Sequence, residues 1–437
     1  MSGGAACTPY GGGGSLRRTD TSPRGARSRT KLAVVSEALP PGWSGNAVLI
    51  GRLLGGFDPA EYCLLRSDQG TYDYHDGRAL PGACYQLPRP WCIPRGTRYG
   101  LRIPRGIVNA LLGIASRSFH IQRIVKRERC DAILVFTGDF FDLPAAYLAG
   151  RRFRLPVYVY MCDDYSYREL WDPVRRWLSP HLERKIVRGA RGVVCANEVL
   201  HDVLNDRHGV EPTVIHHPCD PSLYPAEAEP ENGPTTASRN GELTIVYTGT
   251  VYEAQLDALQ NLQISMSLIR GYRAVLHIYT GQPRSDLAKW GLRPPFAYHE
   301  HRSADGIAAV QREADVLFLP LAFRSHYPEV IRTSAPMKFG EYLAAGRPIL
   351  AHAPSDSFIA RYCRQHDCAL IVDTPDPAKL AQATKRLAND HELRRRLTVN
   401  ARARALADFD LEAARSKFAE LVGVESRSPK VARAEAG

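Results

Sequence analysis

The chain reads as an α/β protein with two doubly wound Rossmann-like domains facing a central cleft. Three observations predict this. Short β-branched runs alternate with helix-period segments along most of the 437 residues. The strand runs are apolar at nearly every position, as expected for parallel strands covered on both faces. A polar, proline-rich stretch over 216–241 has no periodicity and separates the strands into two sets.

In the first set, strands are expected at 32–35, 132–136, 157–161, 193–196 and 213–215, with helices at 47–54, 106–128, 176–189 and 198–206. The second set has strands at 243–247, 275–279, 316–319, 349–351 and 370–372. Its helices fit at 254–270, 304–313, 335–345, 355–366 and 376–390. The expected organisation is a disordered tail over 1–30, a first domain over 31–215, a linker over 216–241 and a second domain over 242–405. Open parallel sheets bind ligands beyond the carboxyl ends of their strands, which makes the shared cleft the expected site.

Composition narrows the class. An apolar content of 44% and a charged content of 24% suit a globular protein, and no run of eighteen apolar residues is present. The first thirty residues are rich in Gly, Ser, Thr and Arg without an apolar h-region, so a flexible tail is expected rather than a secretory signal. Ten scattered cysteines without a C-x-x-C pair suit reduced thiols in a cytoplasmic enzyme. The histidines lack metal-ligand spacing, so no metal is expected.

Residues 1–225 carry 30 Lys/Arg against 21 Asp/Glu, while the rest carries 27 against 25. A basic first half can face nucleic acid, an anionic bilayer or a phosphorylated substrate. The densest part, 95–129, holds nine basic residues against Glu128 alone, and 107–128 has helical apolar spacing. Such a helix can rest on acidic headgroups at the inner face of a membrane, or pack on the core with its basic face solvated.

The most informative segment is 333–350. Thr333 and Ser334 are suited to cap a helix whose first turn contains Pro336, Gly346 supplies its left-handed stop, and Pro348 prevents its resumption. Lys338 and Glu341 lie three apart and share a face near the amino end. A cation, free N–H groups and a carboxylate there can hold a phosphate and a sugar hydroxyl; an ordinary capped helix with solvated charges fits the same spacing.

Pro336, Met337, Lys338, Glu341, Tyr342, Gly346 and Pro348 together resemble the P-x-K-x-x-E-Y-x-x-x-G-x-P donor helix of the family 4 glycosyltransferases, enzymes of GT-B fold. Leu243 through Thr250 resembles the strand and glycine turn that open the family's donor domain. His217 through Asp220 resembles its linker entry, and 375–412 its terminal helices. The resemblance implies a nucleotide-diphosphate sugar on the second domain, an acceptor glycan, lipid or small molecule on the first, and no cofactor. It also implies a last helix, 406–423, crossing back to the first domain before a flexible tail over 424–437. By that likeness Lys338 contacts the diphosphate, Glu341 the ribose, and Gly249 and Thr250 let backbone approach the phosphates. The family's E-x7-E pattern expects a second acid where this chain has Thr333, and the usual Arg and Lys after the first donor strand are missing. Arg324 and Arg332 are the substitutes expected beside Lys338.

In the first domain the strand 157–161 runs into Asp163 and Asp164, the candidates for a general base, which can equally cap the following turn. Gly45 and Asn46, at a loop-to-helix junction, are positioned to present N–H groups to donor or acceptor, or simply to start a helix. The expected activity is glycosyl transfer, in surface polysaccharide, glycolipid or secondary-metabolite synthesis. Two rivals are an epimerase on the same plan, which would need further acids and histidines in the cleft, and a non-catalytic anion or nucleic-acid binder. Aromatics do not interleave with the arginines as single-strand binding requires, so no nucleic acid is expected.

Overall fold

The computed structural model describes residues 30–42, 44–68, 79–93, 102–167, 172–225, 241–300 and 302–424. The tails expected over 1–30 and 424–437 lie almost wholly outside these residues, as does most of the 216–241 linker.

The first lobe comprises β1 (Leu32–Ser36), α1 (Gly45–Leu54), β2 (Tyr62–Arg66), β3 (Ala83–Gln86), α2 (Arg102–Glu128), β4 (Ala132–Phe136), α3 (Asp142–Phe153), β5 (Val157–Met161), α4 (Pro173–Gly189), β6 (Gly192–Cys195), α5 (Glu198–His208) and β7 (Thr213–Val214). Its seven parallel strands lie in the order β3-β2-β1-β4-β5-β6-β7. The second lobe comprises β8 (Glu242–Thr248), α6 (Glu253–Ser267), β9 (Arg273–Thr280), α7 (Arg284–Lys289), β10 (Ala297–Glu300), α8 (Ala304–Glu313), β11 (Val316–Pro320), α9 (Pro328–Thr333), α10 (Lys338–Ala344), β12 (Ile349–His352), α11 (Phe358–His366), β13 (Leu370–Val372), α12 (Pro377–Asn389), α13 (His391–Asp408) and α14 (Leu411–Val422). Its six parallel strands run β10-β9-β8-β11-β12-β13. Both sheets reverse strand order beside their first strand, which opens a crevice at the carboxyl ends.

Each sheet is covered on both sides. Ile114, Ile121, Leu143, Ile186 and Leu200 of α2–α5 pack on one face of the first sheet, and Leu49, Ile50 and Leu53 of α1 with Phe418 and Val422 of α14 on the other. The second sheet lies between Leu259, Leu380 and Leu397 on one side and Phe339, Leu343 and Phe358 on the other. The chain therefore passes between lobes twice. The outgoing and returning strands touch where the Cys219 N–H donates to the Phe409 carbonyl at 2.9 Å. Beyond that point α14 settles on α1: Arg415 Nε donates to the Arg52 carbonyl at 2.7 Å and Phe418 meets Phe57 edge-on at 5.9 Å.

Three differences from the sequence expectations have local causes. β3 and β10 are short half-polar edge strands, and β2 follows a proline turn at 59–61 capped by Asp58, so none stands out as an apolar run. Pro144 masks α3, yet it falls in the first turn, where no intrahelical donor is required. The helix expected over 335–345 starts only at Lys338, and a separate short helix, α9, ends just before it. Thr333 ends α9 and its Oγ1 donates to the Glu329 carbonyl at 3.0 Å, so neither it nor Ser334 caps α10, which has no side-chain cap.

Phe418 is fully buried between α14 and the first sheet. Phe418→Ala is expected to destabilise the protein by about 3–5 kcal/mol, read as a lower urea midpoint.

Candidate active site

The carboxyl end of β8 meets the start of α10. Gly249 follows β8 with φ of +117°, and its N–H donates to the Tyr279 carbonyl at 2.8 Å. A Cβ at Gly249 would stand 3.0 Å from Lys338 Cε and 3.1 Å from Nζ, so only glycine lets the lysine lie across this turn. Lys338 Nζ donates to the Tyr247 hydroxyl at 3.2 Å and lies 4.5 Å from the centre of that ring. The hydroxyl itself donates to the Thr250 carbonyl at 2.5 Å. Tyr342 ties helix to strand from the other side, its hydroxyl accepting the Thr248 N–H at 2.9 Å.

Burial lowers the Lys338 pKa from 10.5 to about 8, and Glu341 offsets only part of this. A half-buried ammonium that has no ion pair among the described residues is suited to receive an anion. Glu341 lies one turn along α10 and points to the first lobe. Its Oε1 pairs with Arg52 Nη2 of α1 at 2.5 Å, and its Oε2 accepts from Gln311 Nε2 at 3.3 Å.

Across the cleft, Met337 packs against the first-lobe core, 3.2 Å from where a Cβ on Gly45 would stand. Asn197, at the end of β6, donates to the Thr333 carbonyl at 2.8 Å. The ends of β1 and β4 bring Glu37 against Gly138, beside Asp139, whose Oδ1 accepts the Phe141 N–H at 2.6 Å. Behind them Asp142 is fully buried with Arg117 and the Ser67 hydroxyl; burial, then the charge of Asp139, raises its pKa to about 7. The β5 end presents Asp163, half-buried and without a hydrogen bond or ion pair among the described residues.

One cleft thus holds an unpaired cation at a glycine turn on one wall and carboxylates on the other. Two family models match the chain, one on each lobe: Glycosyltransferase Family 4 over residues 80–223 and Glycosyl transferases group 1 over 242–390. The chain belongs to the glycosyltransferases. Solved structures agree on the fold. Anabaena HepE, in complex with UDP-glucose, superposes with a TM-score of 0.62 at 13% identity, covering 90% of this chain and 99% of that one. Sucrose-phosphate synthase from Thermosynechococcus elongatus gives 0.63 at 15%, covering 90% and 98%. A UDP-forming trehalose-phosphate synthase from Burkholderia vietnamiensis gives 0.60 at 15%, covering 90% and 98%. No curated protein sequence matches the chain significantly.

The enzyme, a glycosyltransferase of GT-B architecture, brings some of the candidate residues together and separates others. Gly249, Thr250, Lys338 and Glu341 share the strand-end turn. Asp164 is corrected as a base: it is buried and accepts both terminal nitrogens of Arg207 at 2.8 and 3.0 Å, inside a cluster with Glu183 and His208. It also caps the Ser166 N–H at 3.2 Å. The Asn46 side-chain amide donates to the Thr137 carbonyl at 2.8 Å, joining α1 to the end of β4, while the backbone of Gly45 and Asn46 forms the first turn of α1 behind the Ser44 cap. Arg324 is exposed on a loop whose amides are held by Asp257, and Arg332 is half-buried on α9. Ser334 closes α9, its N–H donating to the Ile331 carbonyl at 3.3 Å. Among the described residues no group of three or more His, Cys, Asp or Glu could hold a metal ion.

Lys338→Met is expected to weaken binding of nucleoside diphosphates at least tenfold by calorimetry while raising the melting temperature, because a charge that burial disfavours is removed. In the wild type, nucleoside-diphosphate affinity should hold below about pH 8 and fall above it, as the free lysine loses its proton. A flat profile through pH 9 would contradict this assignment.

Proposed function

We propose that the enzyme transfers a hexose from UDP-sugar to a hydroxyl of a glycan or lipid acceptor presented at a membrane surface. The observation that carries the donor half is the ammonium of Lys338 lying over Gly249, with Glu341 one turn away. The diphosphate lies against Lys338 and the Gly249–Thr250 backbone, where leaving-group charge develops during transfer. Arg332 and Arg324 add positive charge at the mouth, and no metal is required. Glu341 accepts from the ribose hydroxyls, as ionised carboxylates do. UDP is preferred among nucleotides because HepE was solved with UDP-glucose and the trehalose-phosphate synthase is UDP-forming.

On the acceptor wall, Asp163 is the group that takes up the acceptor proton, since it stands at a strand end with its carboxylate uncommitted. Gly45 opens α1 opposite Met337 and keeps the passage between walls narrow.

The membrane half rests on α2. Along this helix Ala110, Ile114, Ile121 and Val125 enter the core together with Arg117, leaving Val108, Leu111, Leu112 and Phe119 on the outside. Leu111 is 56% exposed and Phe119 54%. The same face then turns basic at Arg123, Lys126 and Arg127. A solvated helix shows water its polar side, whereas this one offers an apolar stripe ending in cations, a pattern suited to an anionic lipid interface. Exposed Trp91 and Ile93 flank it, pinned where the Ile93 N–H donates to Asn109 Oδ1 at 2.7 Å. Among the described residues no helix is long and apolar enough to cross a membrane. An enzyme adsorbed in this way from the cytoplasm would serve surface polysaccharide or glycolipid synthesis.

A thermal-shift series with UDP, GDP, ADP and dTDP tests the donor: UDP should give the largest rise, and no rise with any of them would sink the reading. Asp163→Asn should lower kcat about a hundredfold or more while leaving UDP affinity unchanged. The double variant Leu111→Asp with Phe119→Asp should stop co-sedimentation with phosphatidylglycerol vesicles, which the wild type should show and neutral phosphatidylcholine vesicles should not support.

A further inference from the structure

The pairing of Arg52 with Glu341 joins residues 289 apart in sequence and on different lobes. It is embedded in a chain of fixed contacts. The other terminal nitrogen of Arg52 donates to the Pro218 carbonyl at 2.7 Å, in the first passage between lobes. Its backbone carbonyl accepts from Arg415 of α14, after the second passage. On the far side of Glu341, Gln311 is fully buried and locked: its Oε1 accepts from the Tyr224 hydroxyl at 2.6 Å, and its Nε2 also donates to Thr248 Oγ1 at 3.1 Å. Each oxygen of Glu341 therefore has its own donor, one from each lobe.

A carboxylate offers about four lone-pair positions, so two protein donors leave two for a ligand. A flexible glutamate on the first turns of a seven-residue helix would otherwise spend rotamer freedom on every binding event. We infer that Arg52 is a positioning residue for the donor site, supplied by the acceptor lobe, which holds the Glu341 carboxylate aimed at the ribose diol. This rests on the proposed contact between Glu341 and the ribose. The consequence is that the half of the molecule that receives the acceptor sets how well the other half grips the nucleotide. Arg52 does not touch the diphosphate in this scheme, so only hydroxyl recognition should depend on it.

The test is calorimetry with UDP and with 2′,3′-dideoxy-UDP on the full chain. Wild type should prefer UDP by about tenfold or more, the worth of hydrogen bonds to a charged group. Glu341→Gln should lose most of that preference. Arg52→Met should bring the ratio close to one with dideoxy-UDP affinity unchanged. Arg52→Lys keeps the charge but cannot reach Glu341 and Pro218 together, and should give an intermediate ratio; it decides the matter should Arg52→Met fail to fold. A wild-type ratio retained in the Arg52 variants but lost in Glu341→Gln overturns the role of Arg52 alone. A wild type that does not separate the two nucleotides overturns the ribose assignment and this inference with it.

Discussion

A half-buried positive charge with no ion pair among the described residues is the constraint around which the cleft is built. Lys338 has a hydroxyl and an aromatic face for neighbours where a carboxylate would satisfy it fully. Holding it there needs a glycine turn below, since any side chain on Gly249 would occupy the lysine's path. It also needs α10 fixed against β8, which Tyr342 supplies through Thr248. A third requirement is close approach of α10 to the lobe junction: a Cβ on Gly340 would stand 2.9 Å from the Phe409 ring and 3.2 Å from the His217 carbonyl. Burial of this charge costs stability, and in the proposed function the same charge meets the diphosphate as an electrostatic partner already in place.

The parts of the site legible in the sequence were those encoded locally. Lys338 and Glu341 share a face because they are three apart on a helix, and Gly346 with φ of +71° ends that helix as its type requires. The helix opening misled because Thr333 is a good cap residue by type, yet its hydroxyl had a nearer acceptor in the preceding turn. Paired aspartates at 163 and 164 looked alike in sequence. Only the fold reveals that Arg207, on α5, claims the second and leaves the first.

Contacts made across the cleft gave no sequence signal. Arg52 is one arginine among many, and its partnership with Glu341 exists only once two separately wound sheets are brought face to face. The α2 helix illustrates the opposite case, in which periodicity was visible but its direction was not. Two apolar faces compete in 107–128, and the one carrying Ala110, Ile114 and Ile121 turns inward, taking Arg117 to within 3.5 Å of the buried Asp142. A hydrophobic pattern says that a face will be covered, without naming what covers it.

The two passages between lobes have a mechanical meaning. Chain segments joined at Cys219 and Phe409 act as adjacent pins beside the cleft, where His217 and Phe409 also flank Gly340 of α10. Two pins define a line, and a body hung on a line can swing in one direction only. Sliding or twisting of one half over the other would shear the bond between the pins, and any swing about them would have to part the Arg52–Glu341 and Asn197–Thr333 contacts as well. Widening of the gap is thereby tied to the breaking of those two bonds.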